Sequence, residues 1–194
     1  MLPTGKSHKY DWVLQSQEPD NLSKLSVHKI KLLEEADFLA PSDKLELLGI
    51  LLCLWFTAEI KQPTTSVLIK KLLADLELPY FINSYKHSKK GLIKWWQVSA
   101  NRQINQFVKK HAKDLSPIEA GVLYNYPIPD VMAFMNLIPR RTDHPKTAVG
   151  HYFSKVHSKE FYQISYKEYR RRWGIIKRVS PKIYTELIES GKSS

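Results

Sequence analysis

The chain has 194 residues, 43% hydrophobic and 25% charged, with a net charge of +11 and a pI near 9.6. That balance is ordinary for a soluble globular protein, and a chain of this length buries roughly 70% of its unfolded surface without staples. One cysteine, Cys53, excludes an internal disulfide framework, and the longest apolar run, Leu47 to Phe56, is about half of the ~18 residues a membrane-spanning helix needs.

The N-terminal MLPTGKSHKYDWVLQ has no apolar core of the kind a secretory leader carries, so a cytoplasmic location is the expectation. Residues 1–20 are polar, with Pro3, Gly5 and Pro19, and read as a mobile arm. The rest, 21–190, reads as one globular domain, helical over 21–78, a hairpin over 80–99, and helical again over 101–190. The fold class is α+β, mostly helical, with a small antiparallel β-hairpin.

Ser26 caps the first predicted helix, with Val27, Ile30 and Leu33 at helical spacing and Pro41 closing the segment. Ser42 or Asp43 caps a second. Its apolar residues Leu45, Leu48, Leu52 and Trp55/Phe56 keep a period near 3.6, and the run is apolar all round, which predicts a buried central helix. A strand over GILLCLWF is the alternative, since short apolar runs fit both. Gly49 would allow a close helix crossing, and Cys53, among Leu and Trp, packs as a buried small hydrophobe. After the break at Pro63, Val67 to Leu76 is amphipathic, with Leu68, Leu72 and Leu76 on one stripe and Lys70 and Lys71 off it.

Tyr80 to Tyr85 is aromatic and β-branched, hence a strand; Lys86 to Gly91 is a turn; Leu92 to Ser99 returns. Trp95 and Trp96 are adjacent and must point to opposite faces, so either both faces of the sheet are covered or one Trp is exposed. From Asn101, residues Ile104, Phe107, Val108, His111 and Ala112 repeat as one face of a helix, with Lys109, Lys110 and Lys113 near its C-terminal end. Ser116-Pro117-Ile118-Glu119 has the pattern of a capping box with proline in the first helical position. Tyr126-Pro127 ends that helix. Pro129 starts another, through Val131, Phe134, Met135 and Ile138. Arg140 to His151 is a polar connection. Tyr166, Tyr169, Trp173 and Ile176 then form an aromatic stripe on a helix, with Lys167, Arg171 and Arg178 opposite. Ser180-Pro181 repeats the cap-plus-proline start for a last helix through Ile183, Tyr184, Leu187 and Ile188.

The run E-A-G-V-L-Y-N-Y-P, followed by a helix near F-M and a closing pair around W-G-I-I-K-R-V-S-P-K-I-Y, resembles a group of small prokaryotic proteins of unknown function. They share a G-x-L-x-G-Y-P-like corner, matched here by Gly121, Leu123, Tyr126 and Pro127, with Phe134, Ser180, Pro181 and Tyr184 downstream. Asn125 stands where the corner would have glycine, and asparagine tolerates the left-handed backbone nearly as well. Some relatives carry cysteines after the proline; Ile128, Pro129 and Asp130 offer no thiol. The resemblance implies a shared fold and no activity.

Chemistry-bearing patterns are sparse. Asp143, His144, His151 and His157 form the densest metal-capable group, but their spacing fits no zinc pattern, so neither a metal nor a cofactor is expected. No nucleophile elbow, phosphate loop or dinucleotide fingerprint is present. The acids Glu34, Glu35, Asp75, Glu77, Glu119 and Asp130 are scattered, and no catalytic residue is assigned.

The charge, by contrast, is uneven. Lys86 to Lys113 holds eight Lys/Arg and no acid, and Arg140 to Lys182 holds twelve against three acids. Such asymmetry favours an anionic partner. The leading expectation is therefore a non-enzymatic module contacting RNA or DNA backbone without sequence reading, through Lys86, Lys89 and Lys90 on the hairpin tip and Lys167, Arg171 and Arg178 on the aromatic helix. A small enzyme with an atypical site near 125–130 or 143–157 is one alternative; a protein-interaction adaptor is another. No membrane association is expected.

Overall fold

The computed structural model of the chain describes residues 27–60, 66–87, 91–111, 114–125, 131–132, 135–137 and 170–192. The N-terminal arm, Tyr126-Pro127 and the loop over 143–157 lie outside these. Among the described residues the fold is mostly helical α+β with a small antiparallel sheet. In chain order the elements are α1 (Val27–Glu34), α2 (Pro41–Leu51), β1 (Ala58–Ile60), α3 (Ser66–Asp75), β2 (Tyr80–His87), β3 (Gly91–Val98), α4 (Arg102–His111), α5 (Pro117–Leu123), α6 (170–179) and α7 (Pro181–Lys192).

The hairpin is present and longer than expected at both ends of its turn. It also gains a third strand that the sequence did not announce. β1 pairs antiparallel with β3, giving the order β1-β3-β2. Three residues are too few for an alternation to be read, and the strand exists because β3 offers it an edge. Across the sheet, Ile60 and Ile82 both oppose Trp96, while Ala58 and Tyr80 both oppose Val98. Opposed residues share a face, so this row points one way; Glu59, Gln97 and Phe81 point the other.

Both faces of the sheet carry buried residues. Trp96 and Val98 are buried with Leu33 of α1, most of α2, the inner side of α3, and Ile175, Ile176, Ile183 and Leu187 of α6 and α7. On the opposite face, Phe81 packs against Phe56 and against Ile104, Val108 and Leu123 of α4 and α5. Each fully buried aliphatic side chain contributes about 1.5–3 kcal/mol.

α2 is the buried central helix, but only 49–51 of the run GILLCLWF are helical; 52–56 form the turn that follows, neither helix nor strand. Its ends differ from expectation. Pro41 opens the helix rather than closing the previous one: Ala40 is the N-cap with no side-chain bond, and Pro41 supplies the first turn. The helix stops at Leu51 because Cys53 is left-handed (φ 57°) and turns the chain back. Leu54 N and Trp55 N then both donate to Gly49 O, at 2.7 and 3.2 Å. Gly49 accordingly serves the Trp55 ring, not a helix crossing: a Cβ there would sit 1.1 Å from Trp55 Cε3. Cys53 is half-buried rather than buried, since the turn carries it away from the leucine-lined side.

α3 buries Leu72 and Leu76 of its expected stripe, with Ile69 and Leu73 in place of Leu68, which is 44% exposed. Lys29 on α1 pairs with Glu77 just past α3 at 2.6 Å. α4 starts as its sequence implies. Asn101 Oδ1 accepts from Gln103 N and Ile104 N, Ile104 and Val108 are buried, and Phe107 lies against His111 with ring centroids 4.8 Å apart.

Two helix starts follow their sequence signals closely. At α5, Ser116 Oγ accepts from Glu119 N at 3.2 Å and Glu119 Oε2 accepts from Ser116 N at 2.9 Å, the full capping box. At α7, Ser180 Oγ accepts from Ile183 N at 3.3 Å and donates to Glu34 Oε1 at 2.6 Å, so one hydroxyl both caps α7 and ties it to α1.

Candidate nucleic-acid interface

α6 is the best-defined basic element among the described residues. Its core side is set by Ile175 and Ile176, both buried, and by Trp173 and Val179, half-buried against the same cluster. Trp173 meets Tyr184 of α7 edge-on, with ring centroids 5.9 Å apart. At ~100° per residue, the opposite arc holds Lys177, Arg170, Gly174, Arg178 and Arg171 in that angular order, within about 120°. All five are exposed, and no acid stands among them. Arg178 Nε donates to Gly174 O at 3.3 Å, and Lys177 Nζ lies 5.5 Å over the Tyr184 ring.

Arg171 and Arg178 therefore fall together on solvent as the sequence implied. Lys167, the third member of that row, lies outside the described residues. Arg170 and Lys177 join the arc, beyond the residues that the sequence pattern picks out. The signal is there at helical spacing, but taking the aromatic stripe as the centre of the inner face rotates the outer face by about 60°. Ile175 and Val179, drawn inward as well, move the true outer centre to Gly174.

The middle arginine of the triplet has a different fate. Arg172 turns inward and its Nη1 donates to Asn125 O at 2.5 Å. Asn125 is left-handed (φ 58°) and its Nδ2 donates to Leu54 O at 3.0 Å. One asparagine thus ties the end of α5 to the turn after α2 and, through Arg172, to α6. The left-handed backbone expected of Asn125 is present.

The hairpin cations are placed in part. Lys86 lies on β2 opposite Leu92, one pair from the end of the strands, where His87 opposes Gly91. Lys89 and Lys90 lie outside the described residues. Separately, α4 exposes Arg102, Lys109 and Lys110.

Three of the six acids singled out in the sequence have structural partners, while Asp130 lies outside the described residues. Glu34 Oε1 accepts from Ser180, Glu119 completes the capping box, and Glu77 pairs with Lys29. The hydrogen bond from Lys29, and then its charge, hold the Glu77 carboxyl below its ordinary value. Among the described residues no group of three or more His, Cys, Asp or Glu is arranged to hold a metal ion. The Asp143, His144, His151 and His157 group lies outside them. No described helix is long and apolar enough to cross a membrane. Comparison of the chain with protein-family models, with curated proteins and with solved structures finds no match.

Proposed function

We propose that this protein is a binding module for nucleic acid, RNA or DNA, that grips the phosphate backbone without reading sequence. The observation that carries the reading is the exposed arc of α6, with four cations and no acid on the side away from the core. A chain-wide charge of +11 supports it, since a positive field raises the encounter rate with a polyanion. A membrane surface suits the arc less well. An interfacial helix needs an apolar face turned to lipid, and the apolar face of α6 is buried in the main core cluster, with Trp173 against Tyr184 of α7. Binding would be driven by counterion release, one condensed ion per phosphate neutralised. Arg171 and Arg178 are the two residues common to the sequence expectation and the exposed arc; Lys86, Lys89, Lys90 and Lys167 complete the proposed set.

The test is a salt titration of fluorescence anisotropy with short labelled oligonucleotides. At low salt the intact chain should bind more tightly than ~100 μM, the weak end of the usual non-specific range. Changing Arg171 and Arg178 together to Gln should weaken binding to every sequence alike. The same change should flatten the log–log salt slope by roughly 0.7–0.9 for each phosphate that is no longer neutralised. Failure of the unmodified protein to bind any oligonucleotide at that level refutes the reading.

A further inference from the structure

Three helical glycines have described surroundings, and two of them have a packing reason. At Gly49 a Cβ would run into the Trp55 ring, and at Gly121 it would meet Val131 Cγ2 at 2.6 Å. Gly174 has none: among the described residues a Cβ there would find nothing within 4 Å. Glycine is the poorest residue but proline inside a helix, so a bare, exposed one with no neighbour to accommodate is unexplained by the fold. Its position within the basic arc is central. At ~100° per residue, Arg170 and Lys177 lie about 40–60° to one side, and Arg171 and Arg178 lie about 40–60° to the other. Within each pair the spacing is seven residues, or about 10.5 Å along the axis. The result is two parallel rows of cations flanking a smooth ridge.

Building on the backbone-binding reading above, we infer that α6 seats in the major groove of duplex DNA, with Gly174 at the groove floor and one cation row on each strand. The dimensions match: a helix with its side chains is ~10–12 Å across, and the major groove of B-form DNA is ~12 Å wide and ~8.5 Å deep. Residues at the centre of an inserted face meet base edges, while those flanking it reach the two phosphate walls. A glycine at the centre lets the helix approach closely and offers no side chain to read a base, so binding is indifferent to sequence. Duplex RNA is disfavoured, because its major groove is too deep and narrow to admit a helix. A single strand offers one line of phosphates and cannot use both rows at once.

The experiment measures anisotropy for the full chain on a 20-base-pair DNA duplex, the matching RNA duplex and a single DNA strand. The variants are Arg170→Gln with Lys177→Gln, Arg171→Gln with Arg178→Gln, and Gly174→Trp, each checked for folding by thermal melting. On duplex DNA, both paired variants should flatten the salt slope alike, by roughly 1.8 for two phosphates left unneutralised. Gly174→Trp should weaken duplex DNA binding by roughly tenfold or more through steric exclusion alone, with its salt slope kept closer to that of the intact chain. The intact chain should prefer duplex DNA over both other probes. If it binds but only one row matters, or Gly174→Trp binds unchanged, or the RNA duplex binds as tightly, the groove assignment is overturned and the backbone reading stands. If no probe binds, the backbone reading falls and the groove assignment falls with it.

Discussion

Left-handed residues do much of the work of ending helices here. Cys53 follows α2, Glu77 follows α3 and Asn125 follows α5, each with φ between 56° and 58°. Such a residue at a helix end redirects the chain while its N–H still bonds to the last turn, as Asn125 N does to Val122 O. Asparagine announces this role in sequence; cysteine and glutamate do not, because neither favours the left-handed region. Asn125 also holds Leu54 O, so its two contributions can be separated by substitution. Asn125→Gly keeps the backbone and loses the hydrogen bond, which should cost about 1 kcal/mol. Asn125→Ala loses both and should cost about 2 kcal/mol. Urea denaturation midpoints measure the pair; equal destabilisation would mean that the backbone conformation at Asn125 contributes nothing.

Among the elements, those whose signals are local were legible and those that depend on a neighbour were not. The capping box at Ser116 and the Ser180-Pro181 start are local patterns, and each has its bonds. β1 depends on β3, the rotation of α3 on its packing with α1, and the centre of the exposed arc of α6 on how deeply Ile175 is drawn in. Hydrophobic spacing gives a face to within a residue or so, and a residue is ~100° of helix. The candidate interface shows the consequence: Arg171 and Arg178 were readable, while Arg170 and Lys177 needed the packing. The two interior glycines of α2 and α6 make the same contrast measurable. Judged by helix propensity alone, Gly→Ala should stabilise either helix by up to ~1 kcal/mol. Gly174→Ala should do so, having open space to enter. Gly49→Ala should instead destabilise by about 3 kcal/mol or more, because the buried Trp55 ring must leave its seat on α2. Thermal melts of the two variants should shift in opposite directions, and a stabilised Gly49→Ala protein would contradict the packing of Trp55 on that helix.

At the scale of the whole molecule, the closing helix is held by polar bonds that span the chain. Ser180 and Lys182 reach Glu34 at the end of α1 from the start of α7, and Lys44 on α2 bonds both Glu34 O, at 3.0 Å, and Glu186 on α7, at 3.2 Å. The Lys44 side chain is only 4% exposed, whereas that of Glu186 is 28% exposed. A buried ammonium is tolerable only with partners that offset its lost hydration, and here those are one carbonyl and one carboxylate 142 positions away in sequence. This asymmetry predicts unequal costs for the two halves of the pair. Glu186→Gln leaves the ammonium enclosed with no opposite charge and should destabilise by about 3 kcal/mol. Lys44→Met replaces the buried charge by an apolar chain of similar length and leaves Glu186 partly in water, so its cost should be smaller, about 1–2 kcal/mol. In the double variant the penalties should not add, since the ammonium that suffers from losing Glu186 is no longer there. A double-mutant cycle by chemical denaturation reads this directly. Additive penalties would mean that α7 is held on α2 by its apolar face alone, through Ile183 and Leu187, and that the ion pair contributes nothing to the closure of the fold.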